Sequence, residues 1–150
     1  MIADGRQFVR GDGSLDRQGI YRHVRRHLLE QGRCSTRPNV GCAYRGEGGA
    51  ACAVGCLIPD ERYSDDLEGK AAYYANFTPE MDVPRWPVLA AAFGADGVVG
   101  VVGVVGPGDR QFVSHLQRAH DKIKDEGDYG EQVRANLAQL ARDWELQEEG

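Results

Sequence analysis

Residues 42–60 read CAYRGEGGAACAVGCLIPD and hold three of the four cysteines of the chain, spaced around a glycine-rich centre. The runs CAYR and ACAVGCLI predict two short strands, and the GEGGA between them predicts the turn of a β-hairpin. Gly55 weakens the second run as a strand, so a helix that begins there is the alternative. Pro59 ends the element in either case.

Three amphipathic helices are predicted around this hairpin. Apolar residues recurring on one face place them over three ranges: 16–31, 110–124 and 131–146. Asp16 and Asp109 are the expected N-caps of the first two helices, and Gly32 is expected to end the first. A short apolar helix is predicted to begin at Pro87. The fold class expected is α+β and mostly α, with about three amphipathic helices packed around a small β-hairpin.

The composition is that of one ordinary globular domain, with 150 residues of which 41% are hydrophobic and 27% charged. We expect a single domain over residues 1–150, with a flexible N-terminus over residues 1–15. Residues 94–108 form a glycine- and valine-rich insert with three successive VVG triplets. A period of three suits neither a strand nor a helix, so we expect a loop or flexible hairpin, with a buried strand as the alternative.

The N-terminal sequence, MIADGRQFVR, lacks the apolar core and cleavage site of a signal peptide. The longest apolar run is interrupted by proline, aspartate and glycine, so it does not predict a membrane-spanning helix. We therefore expect a cytoplasmic protein without a membrane partner. In a reducing compartment, cysteines are more often thiols or metal ligands than disulfides.

Charge is unevenly distributed along the chain. The net charge is −5, yet the first 45 residues hold nine arginines and four acidic residues, a net +5, which leaves −10 for the rest. Arg22, Arg25 and Arg26 lie on the polar face of the first helix, and together with Arg45 they are the predicted binding residues. Another protein is the expected partner, and nucleic acid is not favoured because the isoelectric point is only about 5.3. A merely solvated helix face is the simpler interpretation.

The cysteines raise the question of a metal. Cys52 and Cys56 share a face on either a helix or a strand, and a mixed zinc site would combine them with Cys42 and His120. Structural zinc sites usually present two pairs of closely spaced ligands, and only one such pair is present here. Buried thiols without metal are the default interpretation, so no cofactor is expected, with zinc as the alternative.

A hydrolase is the remaining alternative. His120 and Asp121 would supply an imidazole and the carboxylate that orients it, next to a cysteine nucleophile. The chain has no nucleophile elbow and no CxxC pair, and an adjacent His and Asp arise easily by chance. No catalytic residue is therefore assigned.

Several motifs resemble those of a family of small uncharacterised proteins from bacteria and their phages. The motifs are HLLEQG, CAYRG, CAVGCLIPD and LQRAHD. The family has no assigned function, so the resemblance implies a self-contained cytoplasmic domain of phage or mobile-element distribution and no catalytic residues. Within these motifs, Arg45, Asp60 and Glu68 are expected to form a charge-assisted cluster that ties the hairpin to the following turn.

Together these features favour a small non-enzymatic binding or regulatory protein that acts through protein–protein contact. The basic face of the first helix, or the VVG segment, is the expected contact surface. The sequence leaves the oligomeric state open.

Overall fold

The computed structural model describes residues 2–38, 41–69, 87–94, 107–124 and 126–148. In these ranges the protein is mostly helical, with a small antiparallel sheet, as the sequence predicts. The elements are α1 (Arg17–Gln31), β1 (Thr36–Arg37), β2 (Gly41–Cys42), α2 (Pro87–Phe93), α3 (Pro107–Asp121) and α4 (Tyr129–Asp143). Short 3-10 turns connect several of them. No helix within the described ranges is long and apolar enough to cross a membrane.

Helix α1 begins and ends where the sequence predicts. The carboxylate of Asp16 accepts the backbone N–H of Gly19 at 3.0 Å, and Gly32 ends the helix with a left-handed φ of 73°. The buried face is formed by Ile20, Tyr21, Val24, His27 and Leu28. The predicted periodicity is therefore confirmed. The buried face also includes the rings of Tyr21 and His27, which can form hydrogen bonds.

Helix α3 begins three residues earlier than predicted, and α4 begins two residues earlier. Pro107 occupies the start of α3, where its missing N–H and fixed φ are tolerated. Asp109 consequently lies within the first turn, so its prediction as the N-cap is wrong. Asp128 caps α4 by accepting the N–H of Glu131 at 2.9 Å. Helix α2 begins at Pro87 as predicted.

The hairpin lies elsewhere than predicted. Strand β1 pairs with β2, whereas CAYR and ACAVGCLI meet only at a single antiparallel bridge between Arg45 and Ala51. The second run turns into a 3-10 helix over Gly55–Leu57 instead of continuing as a strand. Local hydrogen bonds form this turn: the N–H of Leu57 donates to the Val54 carbonyl at 2.9 Å, and the N–H of Ile58 donates to the Gly55 carbonyl at 3.2 Å.

The centre of the core is the segment 50–59, in which every residue is buried. Apolar side chains of all four helices surround it in one cluster, among them Val24, Leu89, Leu116 and Leu137. A segment with no exposed face has no alternation of apolar and polar residues. Periodicity therefore could not predict its conformation.

The first residues of the chain, which we expected to be flexible, pack on this core. A 3-10 helix over Gly5–Phe8 places Gly5 so close to the carbonyl of Ala92 that a Cβ would overlap it. Val9 and Leu15 then form an isolated antiparallel bridge. Of the predicted glycine- and valine-rich insert, residues 94–108, positions 95–106 lie outside the described residues, and Pro107 and Gly108 are the first residues of α3.

Candidate functional site

The cysteines of the CAVGC run point into the core. Cys52 and Cys56 are fully buried, and burial raises the pKa of Cys52 to about 12 and raises that of Cys56 as well. The Cys52 thiol donates to the side-chain oxygen of Gln117 at 3.0 Å. A thiol that stays protonated is a poor nucleophile. These two residues therefore behave as small core side chains that also form hydrogen bonds with neighbouring polar groups.

Cys42 lies apart from them, at the exposed end of β2. Its sulfur, a ring nitrogen of His120 and a carboxylate oxygen of Asp121 all lie within 4.8 Å of one another. The structure thus brings together two of the four predicted zinc ligands, Cys42 and His120. Asp121 is the third member of this group, in place of the buried Cys52 and Cys56.

Hydrogen bonds hold the imidazole of His120 in one orientation. Its side chain is 0% exposed, and Nδ1 lies 3.1 Å from Oδ1 of Asp121. The backbone N–H of Ser35 points at Nε2 from 3.5 Å, which makes Nε2 the acceptor and places the ring proton on Nδ1, toward the carboxylate. The Gln117 side-chain amide donates to the same Asp121 oxygen at 2.8 Å.

An open groove of about 490 Å³ begins at this cluster. Its lining residues are Cys34, Thr36, Gly41, Cys42, Ile123, Lys124 and Glu126. The groove separates the β1–β2 hairpin from the connection between α3 and α4. Solvent and small ions therefore reach the Cys42 thiol, while the imidazole behind it stays buried.

Of the predicted binding arginines on α1, Arg22 contacts the C-terminal segment, residues 146–148. Arg22 is exposed and donates to the side-chain oxygen of Gln147 at 2.9 Å. Arg25 is half-buried and close to the Tyr21 hydroxyl, and Arg26 is exposed. The face is therefore basic and reachable, but part of it already holds another stretch of the same chain.

Two neutral side chains of α1 contact the backbone of that segment. The Gln18 amide accepts the N–H of Gln147 at 2.9 Å and donates to its carbonyl at 3.2 Å. The Tyr21 hydroxyl donates to the carbonyl of Glu148 at 2.8 Å. Sequence reasoning missed both residues, although Gln18 lies one turn before Arg22 on the same side of the predicted helix.

Arg45, the fourth predicted binding residue, makes contacts within the fold. Its guanidinium contacts Asp60 at 2.6 Å and lies 4.9 Å from the centre of the Tyr63 ring. Glu68 accepts the backbone N–H groups of Tyr44 and Arg45, each at 3.0 Å. The predicted cluster of Arg45, Asp60 and Glu68 is thus confirmed.

Comparison of the chain with protein-family models, with curated proteins and with solved structures found no match.

Proposed function

We propose that the protein is a small non-enzymatic binding protein that holds an acidic segment of a partner protein against the side of α1 that contacts the C-terminal segment. The observation that supports this is the C-terminal segment 146–148, which α1 already holds. The surface concerned is defined here as the α1 face: Gln18, Tyr21, Arg22, Arg25 and Arg26.

The contacts on this face suit a peptide backbone. Gln18 accepts the backbone N–H of Gln147 and donates to its carbonyl, and Tyr21 donates to the carbonyl of Glu148. Main-chain contacts of this kind stabilise a bound segment with little regard to its side chains.

The preference for an acidic segment is inferred from the charges in the sequence, since in the structure Arg22 contacts the neutral Gln147 and Glu148 pairs with Arg142 of α4 at 2.8 Å. The C-terminal sequence WELQEEG carries three glutamates, and the α1 face carries three arginines. Exposed charges of opposite sign steer association and select partners more than they add affinity. A partner segment with glutamates or aspartates would take the place of the C-terminal segment, so the chain's own tail limits access to the face.

The first test asks whether the face binds a peptide. A chain ending at Glu145 is mixed with the synthetic peptide ELQEEG, residues 145–150, at millimolar concentration, and the amide shifts of α1 are followed by NMR. We expect shifts at the α1 face. The Gln18→Ala variant should bind the peptide about tenfold more weakly, which corresponds to the loss of two hydrogen bonds. Shifts of equal size in the full-length chain, whose own tail occupies the face, would contradict the proposal.

The second test concerns a partner protein. Affinity capture with the full-length chain is compared with the triple variant Arg22→Glu, Arg25→Glu, Arg26→Glu. We expect partners held by the wild type to be lost with the triple variant. The control reverses two cations elsewhere, Arg118→Glu in the last turn of α3 and Lys122→Glu just after it, and should retain the captured partners. Equal capture by all three proteins would exclude the α1 face as the contact surface.

A further inference from the structure

We propose that Cys42, His120 and Asp121 form a zinc-binding site at the mouth of the groove beside β2. This inference does not rest on the proposed function, because the α1 face contributes none of the three ligands. Cys42 comes from the end of β2, and the other two come from the last turn of α3. Their ligand atoms already lie within 4.8 Å of one another.

The distances are close to those that zinc requires. Zinc binds sulfur at about 2.3 Å and nitrogen or oxygen at about 2.0–2.2 Å, so tetrahedral ligand atoms lie about 3.3–3.7 Å apart. Nδ1 of His120 and Oδ1 of Asp121 are 3.1 Å apart. The Cys42 side chain is exposed, and since its sulfur lies no more than 4.8 Å from the other two ligand atoms, a movement of about 1 Å brings it within about 3.7 Å of them.

The ligand types favour zinc over the common hard cations. Mg²⁺ and Ca²⁺ take oxygen ligands almost exclusively, whereas a thiolate with an imidazole and a carboxylate suits zinc. Three protein ligands leave a fourth position, which would hold water or a ligand. The carboxylate of Asp121 is 42% exposed, so an ion can enter from the groove without the core opening.

A second layer of contacts orients the ligands. Gln117 donates to the Asp121 carboxylate at 2.8 Å, and its oxygen accepts the N–H of Val54 at 3.0 Å in the core. Such second-layer hydrogen bonds fix ligand orientation in metal sites. Gln117 therefore ties the position of the carboxylate to the most buried segment of the protein.

Binding requires a defined movement of protons. Zinc on Nδ1 of His120 shifts the ring proton to Nε2, so the long 3.5 Å contact from the N–H of Ser35 must open. The Cys42 thiol loses its proton to become a thiolate. One proton therefore leaves the protein for each zinc bound, which makes the affinity rise with pH.

The test uses the full-length protein after chelator treatment and dialysis. Calorimetric titration with zinc in two buffers of different ionisation enthalpy gives the stoichiometry, the affinity and the protons released. We expect one zinc per chain with a Kd below about 10 μM and about one proton released. Cobalt in place of zinc should give a thiolate-to-metal charge-transfer band.

Two variants test the ligands, while His120 is left intact because its ring is buried. Cys42→Ser should abolish the cobalt band, and Asp121→Asn should weaken zinc binding at least about tenfold. The controls Cys34→Ser and Glu126→Gln alter the same groove and should retain both the band and the affinity. Circular dichroism checks that all four variants fold.

Three outcomes overturn the proposal. The first is that the wild type takes up no zinc. The second is that Cys42→Ser and Asp121→Asn leave zinc binding unchanged. The third is that the control variants Cys34→Ser and Glu126→Gln lose zinc binding to the same extent as the ligand variants.

Discussion

At the scale of single residues, Gly55 decides how the core segment meets its neighbour. A Cβ built on Gly55 would overlap the carbonyl oxygen of Tyr44, so the two backbones touch at this point. Cys52 donates its N–H to the same carbonyl at 3.2 Å. Gly55 thus permits a close backbone approach that a side chain at this position would prevent.

Gly55→Ala is therefore expected to destabilise the protein by about 1–3 kcal/mol, the usual range for an over-packed site, because the backbones must separate. Urea denaturation measures the change in the free energy of unfolding. Gly11→Ala is the matched control, since nothing lies within 4 Å of its added Cβ. Equal stabilities for the two variants would show that the contact at Gly55 relaxes without cost.

At the scale of elements, α1 is joined to the core segment by a buried histidine. Nε2 of His27 donates to the Ala51 carbonyl at 2.9 Å, and the side chain of Gln31 accepts the N–H of Ala51 at the same distance. Burial lowers the pKa of His27 below its ordinary value of 6.5. The folded protein thus keeps this imidazole neutral under conditions in which the unfolded chain protonates it.

The free energy of unfolding should consequently fall as the pH drops below about 6.5. Between that value and the lower pKa of the folded state, the unfolded chain binds more protons, so acid favours unfolding. Urea denaturation at about pH 7.5 and pH 5.5 measures the loss. His27→Gln keeps a donor for Ala51 and should show a smaller loss. Identical losses in both proteins would assign the acid sensitivity to other groups, such as His115.

At the scale of the whole molecule, Asp109 connects distant parts of the chain. Its carboxylate, 8% exposed, accepts the N–H of Leu15 at 2.9 Å and pairs with Arg17 at 2.7 Å. The guanidinium of Arg17 also lies 4.8 Å from the centre of the Trp144 ring, just after α4. One acidic residue in α3 thereby holds the N-terminal region and the end of α4 together.

Asp109→Asn keeps the size of the side chain and removes its charge. We expect a loss of about 2 kcal/mol in the free energy of unfolding, less than for a fully buried pair because Arg17 is 34% exposed. Asp65→Asn is the control, since Asp65 is 82% exposed in its pair with Arg37 and should matter far less. Similar losses for both variants in thermal or urea unfolding would contradict this role for Asp109.

The sequence by itself determined the helices and the Arg45 cluster. Periodicity and caps are local properties, so α1, α3 and α4 were predicted to within a few residues at their ends. The cluster of Arg45 with Asp60 and Glu68 was also predicted; charge complementarity accounts for the contact of Arg45 with Asp60, whereas Glu68 accepts the backbone N–H of Arg45.

Only the tertiary structure decided which functional groups meet. Buried thiols were expected, and Cys52 and Cys56 are buried, but no pattern in the sequence showed that Cys42 reaches His120 and Asp121. The contact of Gln18 with Gln147 spans 129 positions of the chain. Such pairings depend on how the helices pack, and a one-dimensional pattern carries no information about distances of that kind.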